Sequence, residues 1–106
     1  MAVDLSAYTS SASTYGDGST QTTSGTANLA TVITLPPAAK VISLRFVGYA
    51  GWFSTDSTLA DGASGAAKHR MPVDADTTTS FAVQGMKEIR IGSGTVSVPY
   101  HILIEQ

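Results

Sequence analysis

Residues 95–105 read TVSVPYHILIE, and apolar and polar side chains alternate along most of this stretch. A period of two puts alternate side chains on opposite faces of a β-strand. The stretch therefore predicts a long, half-buried strand from Val96 to Ile104, and only Leu103 interrupts the alternation. The side chains predicted to face the core are Val96, Val98, Tyr100, Ile102 and Ile104.

The residues just before this strand predict that it is the second half of a β-hairpin. Residues 87–91, KEIRI, alternate in the same way, with Ile89 and Ile91 on the apolar face. Between the two stretches lies Gly92-Ser93-Gly94, a short loop rich in the residue that tolerates positive φ. Phe81 and Val83 predict one more strand upstream.

The middle of the chain predicts further short strands separated by turn residues. Residues 27–35 form the first, and Pro36-Pro37 ends it because proline lacks a ladder donor. The second begins at Lys40, with Ile42, Leu44 and Phe46 inward. Two more are residues 52–54, after a bend at Gly48 and Gly51, and the edge-like residues 69–73. Residues 60–68 predict one helical turn or none. Six or seven such strands indicate an all-β fold, an antiparallel β-sandwich or jelly roll.

Residues 1–26 predict an extended N-terminal arm, separate from a β-sandwich domain of residues 27–106. Twelve of these 26 residues are Ser or Thr. Such a composition buries too little apolar surface to offset the entropy of ordering. We expect the arm to be disordered in the isolated protein and to order on its own domain or on a neighbouring subunit. Its apolar anchors, and hence its candidate assembly contacts, are Val3, Leu5, Tyr8 and Tyr15.

The composition restricts the classes of partner. Charged residues make up 13% of the chain, about half the usual share. A surface of hydroxyls and small residues suits a chain covered by neighbours, although a β-domain with one neutral face is an equal alternative. The six basic residues are scattered, which argues against nucleic acid. No apolar run approaches the ~20 residues of a membrane helix, and we expect neither membrane association nor a signal peptide.

The polar residues offer little catalytic or metal-binding chemistry. The histidines are His69 and His101, and Gly92-Ser93-Gly94 lacks the spacing of a nucleophile turn. Aspartates in the loops could ligate calcium, but Asp is also a common turn residue. Their positions are 56, 61, 74 and 76. The absence of cysteine removes disulfides and thiolate catalysis. We predict no enzymatic activity, no cofactor and no metal.

One aromatic cluster leaves two interpretations open. Tyr49, Trp52 and Phe53 lie within five positions of one another. On an exposed sheet face, aromatic rings stack on sugars, which would make this a carbohydrate-binding module. In a small β-domain a single tryptophan more often belongs to the core.

Residues 46–106 resemble the small β-sandwich virion proteins of tailed bacteriophages, which decorate capsids or lie at the neck and tail. The resemblance rests on the order of the segments: an aromatic pair followed by Ser-Thr-Asp at 52–58, an Ala/Gly-rich loop at 60–68, Met71-Pro72-Val73, and a last strand after Ser93-Gly94-Thr95.

This resemblance implies a structural role and no catalytic residue. The chain would be a capsid decoration, or cement, protein on the virion surface, made in the host cytoplasm. Its partners would be the major capsid protein and copies of itself in a homotrimer, with residues 1–26 tying neighbouring subunits together. A neck or tail accessory protein is the alternative within this class.

Overall fold

The computed structural model describes residues 2–6, 12–15, 22–64 and 70–106. All regular structure in these residues is β, and none of them forms a helix. The strands are β1 Val3–Asp4, β2 Ala12–Tyr15, β3 Thr31–Thr34, β4 Val41–Phe46, β5 Gly51–Ser54, β6 Met71–Val73, β7 Thr79–Ala82, β8 Glu88–Gly92 and β9 Tyr100–Glu105.

Two sheets form the sandwich. Sheet A has the strand order β1-β3-β8-β5-β6, and sheet B has the order β2-β9-β4-β7. Leaving β1 aside, each sheet has four strands, and β8 and β9 are inserted between pairs of earlier strands. This nesting is the double Greek key of a jelly roll. The predicted all-β sandwich is confirmed, and its topology is the jelly-roll one.

The core lies between the two sheets, where the alternating strands direct their apolar side chains. In β4 and β9 every second residue is fully buried, as the period of two predicts. The fully buried members of these two strands are Ile42, Leu44, Phe46, Tyr100, Ile102 and Ile104. From sheet A, Ile33, Ile89 and Ile91 meet them. β9 is an inner strand of its sheet, paired with β2 and β4.

The predicted hairpin between residues 87–91 and 96–104 is wrong. β8 belongs to sheet A and β9 to sheet B, so residues 93–99 cross from one sheet to the other. Ser97 has a φ of 51°, which interrupts the extended backbone. The strand therefore begins at Tyr100, and Val96, predicted to be inward, is 52% exposed.

Two other predicted strands are present but shorter. The first covers Thr31–Thr34 and not residues 27–35, because Asn28 has a φ of 62° and Leu29 makes only an isolated bridge to Ser64. The strand predicted at residues 69–73 is Met71–Val73, and it lies at the edge of sheet A as expected. Its first residue, His69, lies outside the described residues.

Candidate assembly surface

The N-terminal segment lies along one edge of each sheet. β1 runs parallel to β3, with Val3 opposite Ile33, and Leu5 N–H donates to the Thr34 carbonyl at 2.9 Å. The Leu5 side chain is 1% exposed and belongs to the core. Asp4 accepts a hydrogen bond from Ser6 N–H, and its hydrogen bonds with Ser6 hold the pKa of the Asp4 carboxyl below its usual value.

β2 places the next part of the segment on sheet B. It pairs antiparallel with β9, and the register sets Tyr15 opposite Ile102. Tyr8 lies outside the described residues. β1 and β2 thus pair with the two sheets of their own chain, so contact with a neighbour is not needed to give these two strands a docking surface. Whether the arm also makes assembly contacts stays a prediction.

The outer face of sheet B is open and mixes hydroxyl, apolar and charged side chains. Among the residues described, its members are Val41, Ser43, Arg45, Ser80, Ala82, His101, Leu103 and Glu105. The Ser43 and Ser80 hydroxyls are hydrogen-bonded to each other at 2.7 Å. Arg45 lies 3.7 Å from Asp76, and Leu103 is 42% exposed. Because the two serine hydroxyls satisfy each other, burying them under another protein would leave neither without a hydrogen bond.

Around Arg90 the outer face of sheet A is covered by the connection that follows β5. Arg90 is 4% exposed and lies on β8. Its Nε donates to the Leu59 carbonyl at 2.7 Å, and its Nη2 donates to the Ser57 carbonyl at 3.2 Å and to Glu88 Oε1 at 3.0 Å. One guanidinium thus holds the connection after β5 against the sheet.

A second group fixes the same connection to β3. Asp61 accepts a hydrogen bond from Val32 N–H at 3.0 Å, and Ala30 N–H donates to the Ala63 carbonyl at 2.8 Å. Burial acts to raise the pKa of the Asp61 carboxyl, but hydrogen bonds, including that from Val32 N–H, outweigh it. The pKa therefore lies below its usual value.

The three candidate surface aromatics do not form one platform. Tyr49 is 57% exposed, whereas Trp52 is 4% exposed. The Phe53 ring is half-buried and stacks on Phe81 of the opposite sheet, with 3.8 Å between ring centroids. The Arg70 guanidinium carbon lies 5.5 Å from the centroid of the Trp52 ring. A flat, exposed stack of rings for a sugar is therefore not present among these three side chains.

The polar residues considered for chemistry are dispersed. His101 lies on the outer face of sheet B, opposite Arg45. Asp76 caps a loop, since its carboxylate accepts from Gly48 N–H at 3.0 Å, and Asp56 does the same for Thr58 N–H at 2.9 Å. The Asp56 contact is local to its turn, whereas the Asp76 contact joins two loops 28 positions apart. In the described part of the chain no three metal-ligating side chains come together.

Sequence reasoning missed the roles of two arginines. Alternation placed Arg90 on a polar face, which is correct, but nothing in the sequence signals that a distant loop covers that face. Arg70 donates from Nη1 to Asn28 Oδ1 at 3.0 Å across 42 positions of sequence. A contact between residues so far apart in the sequence leaves no local sequence pattern.

Comparison with known proteins yields one weak likeness. The chain matches no known protein family and no curated protein. A solved structure of the Tobacco streak virus coat protein is 15% identical to this chain and has a TM-score of 0.39. The match covers 91% of this chain and 87% of the coat protein chain. A likeness this weak supports no conclusion about the function of this chain. No helix in the described residues could cross a membrane.

Proposed function

We propose that the chain is a structural protein of a virus particle. In this proposal it is a capsid decoration protein that binds the outer shell of a tailed bacteriophage and bridges capsid subunits. The observation that carries the proposal is the jelly-roll strand order of the two sheets. Viral capsid proteins, lectins and cupins use this topology. Since a fold does not by itself define function, the surfaces must separate these classes.

The surfaces favour a structural role over the other two. A lectin-like use of Trp52 would need an exposed ring, and this ring is 4% exposed. A cupin-like use would need several metal ligands converging in the sandwich, and the described residues gather none. The open face of sheet B, with paired hydroxyls and an exposed Leu103, is suited to protein contact.

The N-terminal segment supports a mechanism for bridging. β1 docks on β3 through two parallel residue pairs, and Leu5 fills a place in the core. In the assembled shell the same docking is made on a neighbouring copy, so that residues 1–26 tie subunits together. Exchange of an identical element between copies needs no new contact chemistry. Binding that occurs only to the assembled shell stabilises it by mass action.

The finer parts of the proposal concern partners and location. The partners are the major capsid protein and two further copies of the chain in a homotrimer, and the location is the capsid surface after synthesis in the host cytoplasm. The role is mechanical, without catalysis or cofactor. A neck or tail accessory protein is the alternative location for the same architecture.

Co-sedimentation with undecorated shells tests the proposal. The wild-type protein should pellet with shells, saturate, and raise the temperature at which the shells disrupt. Imaging of the decorated particles locates the added density. Absence of binding at micromolar concentration, or density confined to the tail, would overturn the decoration role.

A matched pair of variants tests the arm. Val3→Asp places a charge at the half-buried docking position on β3, whereas Val96→Asp changes an exposed valine in the loop before β9. We expect Val3→Asp to weaken attachment at least tenfold and Val96→Asp to leave it unchanged. The reverse result would move the attachment site from the arm to the loops.

A further inference from the structure

The structure contains a cleft that the proposed function does not use. Its volume is about 470 Å³, and it opens beside β5 and β6 on the outer side of sheet A. The residues that matter for its chemistry are Asn28, Trp52, Arg70, Pro72 and Gly94. Apart from Arg70 and the Asn28 amide, these residues supply apolar side chains or bare backbone.

Arg70 is held in place within this cleft. Its Nη1 donates to Asn28 Oδ1 at 3.0 Å, and its guanidinium lies over the Trp52 ring at 5.5 Å. Asn28 is itself held in place, because its N–H donates to the Ser93 carbonyl at 2.7 Å. Two contacts from different elements therefore orient the guanidinium before any ligand arrives, which lowers the entropy lost on binding.

Arg70 also has no anionic partner in the part of the chain that the structure describes. The ion pairs described there join Arg45 to Asp76 and Arg90 to Glu88. The fork of a guanidinium has five N–H donors, and the described contacts engage one of them. A half-buried cation with donors to spare, facing an apolar-walled cleft, is arranged to accept an anion.

We propose that this cleft binds a carboxylate, with Arg70 as its bidentate donor and with the exposed Pro72 packing against the group that carries it, while the buried Trp52 ring supports the guanidinium from below. A carboxylate fits better than a phosphate because the cleft offers one cation, and a phosphate dianion is usually met by several. The inference that the ligand is a carboxylate rests on the residues of the cleft alone. That the carboxylate is an acidic side chain of a neighbouring shell protein rests on the proposed function.

The test is an NMR titration of the uniformly ¹⁵N-labelled protein. Sodium acetate, sodium phosphate and acetamide are each added up to about 100 mM, at ionic strength held constant with sodium chloride, since a single charge-assisted pair corresponds to millimolar or weaker affinity. Acetate should move the Trp52 indole and Arg70 Nε signals along a saturable curve, and acetamide should not. Stronger shifts with phosphate, equal shifts with acetamide, or none at all would overturn the proposal.

Variants assign the response to Arg70. Arg70→Gln should abolish it, and Arg45→Gln, which removes an exposed arginine elsewhere, should retain it. Arg70→Lys keeps the charge without the forked donors, so its response to acetate should weaken several-fold. If Arg70→Gln does not fold, the lysine variant provides the test. A response that persists without Arg70 would refute the site.

Shell co-sedimentation then separates this inference from the proposed function. Acetate binding together with normal attachment of Arg70→Gln would show that the carboxylate does not come from the shell. Acetate binding by a protein that never attaches to shells would defeat the decoration role and leave the cleft assignment standing.

Discussion

Replacing Arg90 by methionine should destabilise the protein through the loop that covers sheet A. Methionine matches the apolar stem of arginine but donates no hydrogen bond. The Leu59 and Ser57 carbonyls, which accept at 2.7 and 3.2 Å, would lose their charged donor. Glu88 would lose its partner too, but its side chain is 41% exposed, so water replaces most of that interaction.

The expected loss in the free energy of unfolding is about 2–4 kcal/mol. A hydrogen bond to a charged group contributes roughly 1.5–3 kcal/mol, and loop carbonyls that water can partly reach recover some of that. The total for a domain of this size is on the order of 5–15 kcal/mol. With a urea m-value of about 2 kcal/mol/M, the midpoint should fall by about 1–2 M.

The assay is urea unfolding followed by native-state hydrogen exchange. In the variant, the amide of Ala30, which donates to the Ala63 carbonyl, should exchange faster because the cover has loosened. The matched control is Arg45→Met, whose arginine is half-exposed and lies 3.7 Å from its carboxylate, and it should change stability by less than about 0.5 kcal/mol. If both variants behave alike, Arg90 does not hold the loop.

Three other perturbations have defined outcomes. Gly92→Ala should lower the free energy of unfolding by about 1–3 kcal/mol and shift the fluorescence emission of Trp52, because the added methyl would meet that ring. Gly94→Ala should leave both the free energy of unfolding and the emission nearly unchanged. The lowered pKa of Asp61 means that its contribution to stability is present above its ordinary value of 3.8 and is lost as the pH falls through the lower folded-state value. Asp61→Asn should accordingly flatten the dependence of the urea midpoint on pH in this acidic range, and an unchanged slope would contradict the assignment. His101→Ala should leave stability and shell attachment unchanged, because this half-buried side chain lies on the outer face of sheet B; loss of attachment with the fold intact would assign it a direct contact.

Local pattern determined the strands and their buried faces. The alternation in β4 and β9 identified residues such as Ile42 and Ile102, which are fully buried. Pro36-Pro37 marks the end of the strand whose last residue is Thr34, as the missing donor of proline requires. These features depend on neighbours within a few residues, and for that reason the sequence alone predicted them.

The assignment of strands to sheets needed the tertiary structure. Gly92-Ser93-Gly94 suits a hairpin turn and also a crossing between sheets, and nothing within the loop distinguishes the two. The crossing is favoured because it lets Ile91 of sheet A and Ile102 of sheet B belong to one core between the sheets. The core is formed by residues from the whole chain, so the sequence of the turn alone does not predict which sheet the next strand joins.

The candidate sites divide in the same way. Composition identified the N-terminal segment, but only the fold placed Leu5 in the core and β1 and β2 on the two sheets. Arg90 and Arg70 are ordinary polar residues in the sequence. Their loop partners lie 31 to 42 positions away, and long-range contacts of this kind exist only once both sheets have assembled.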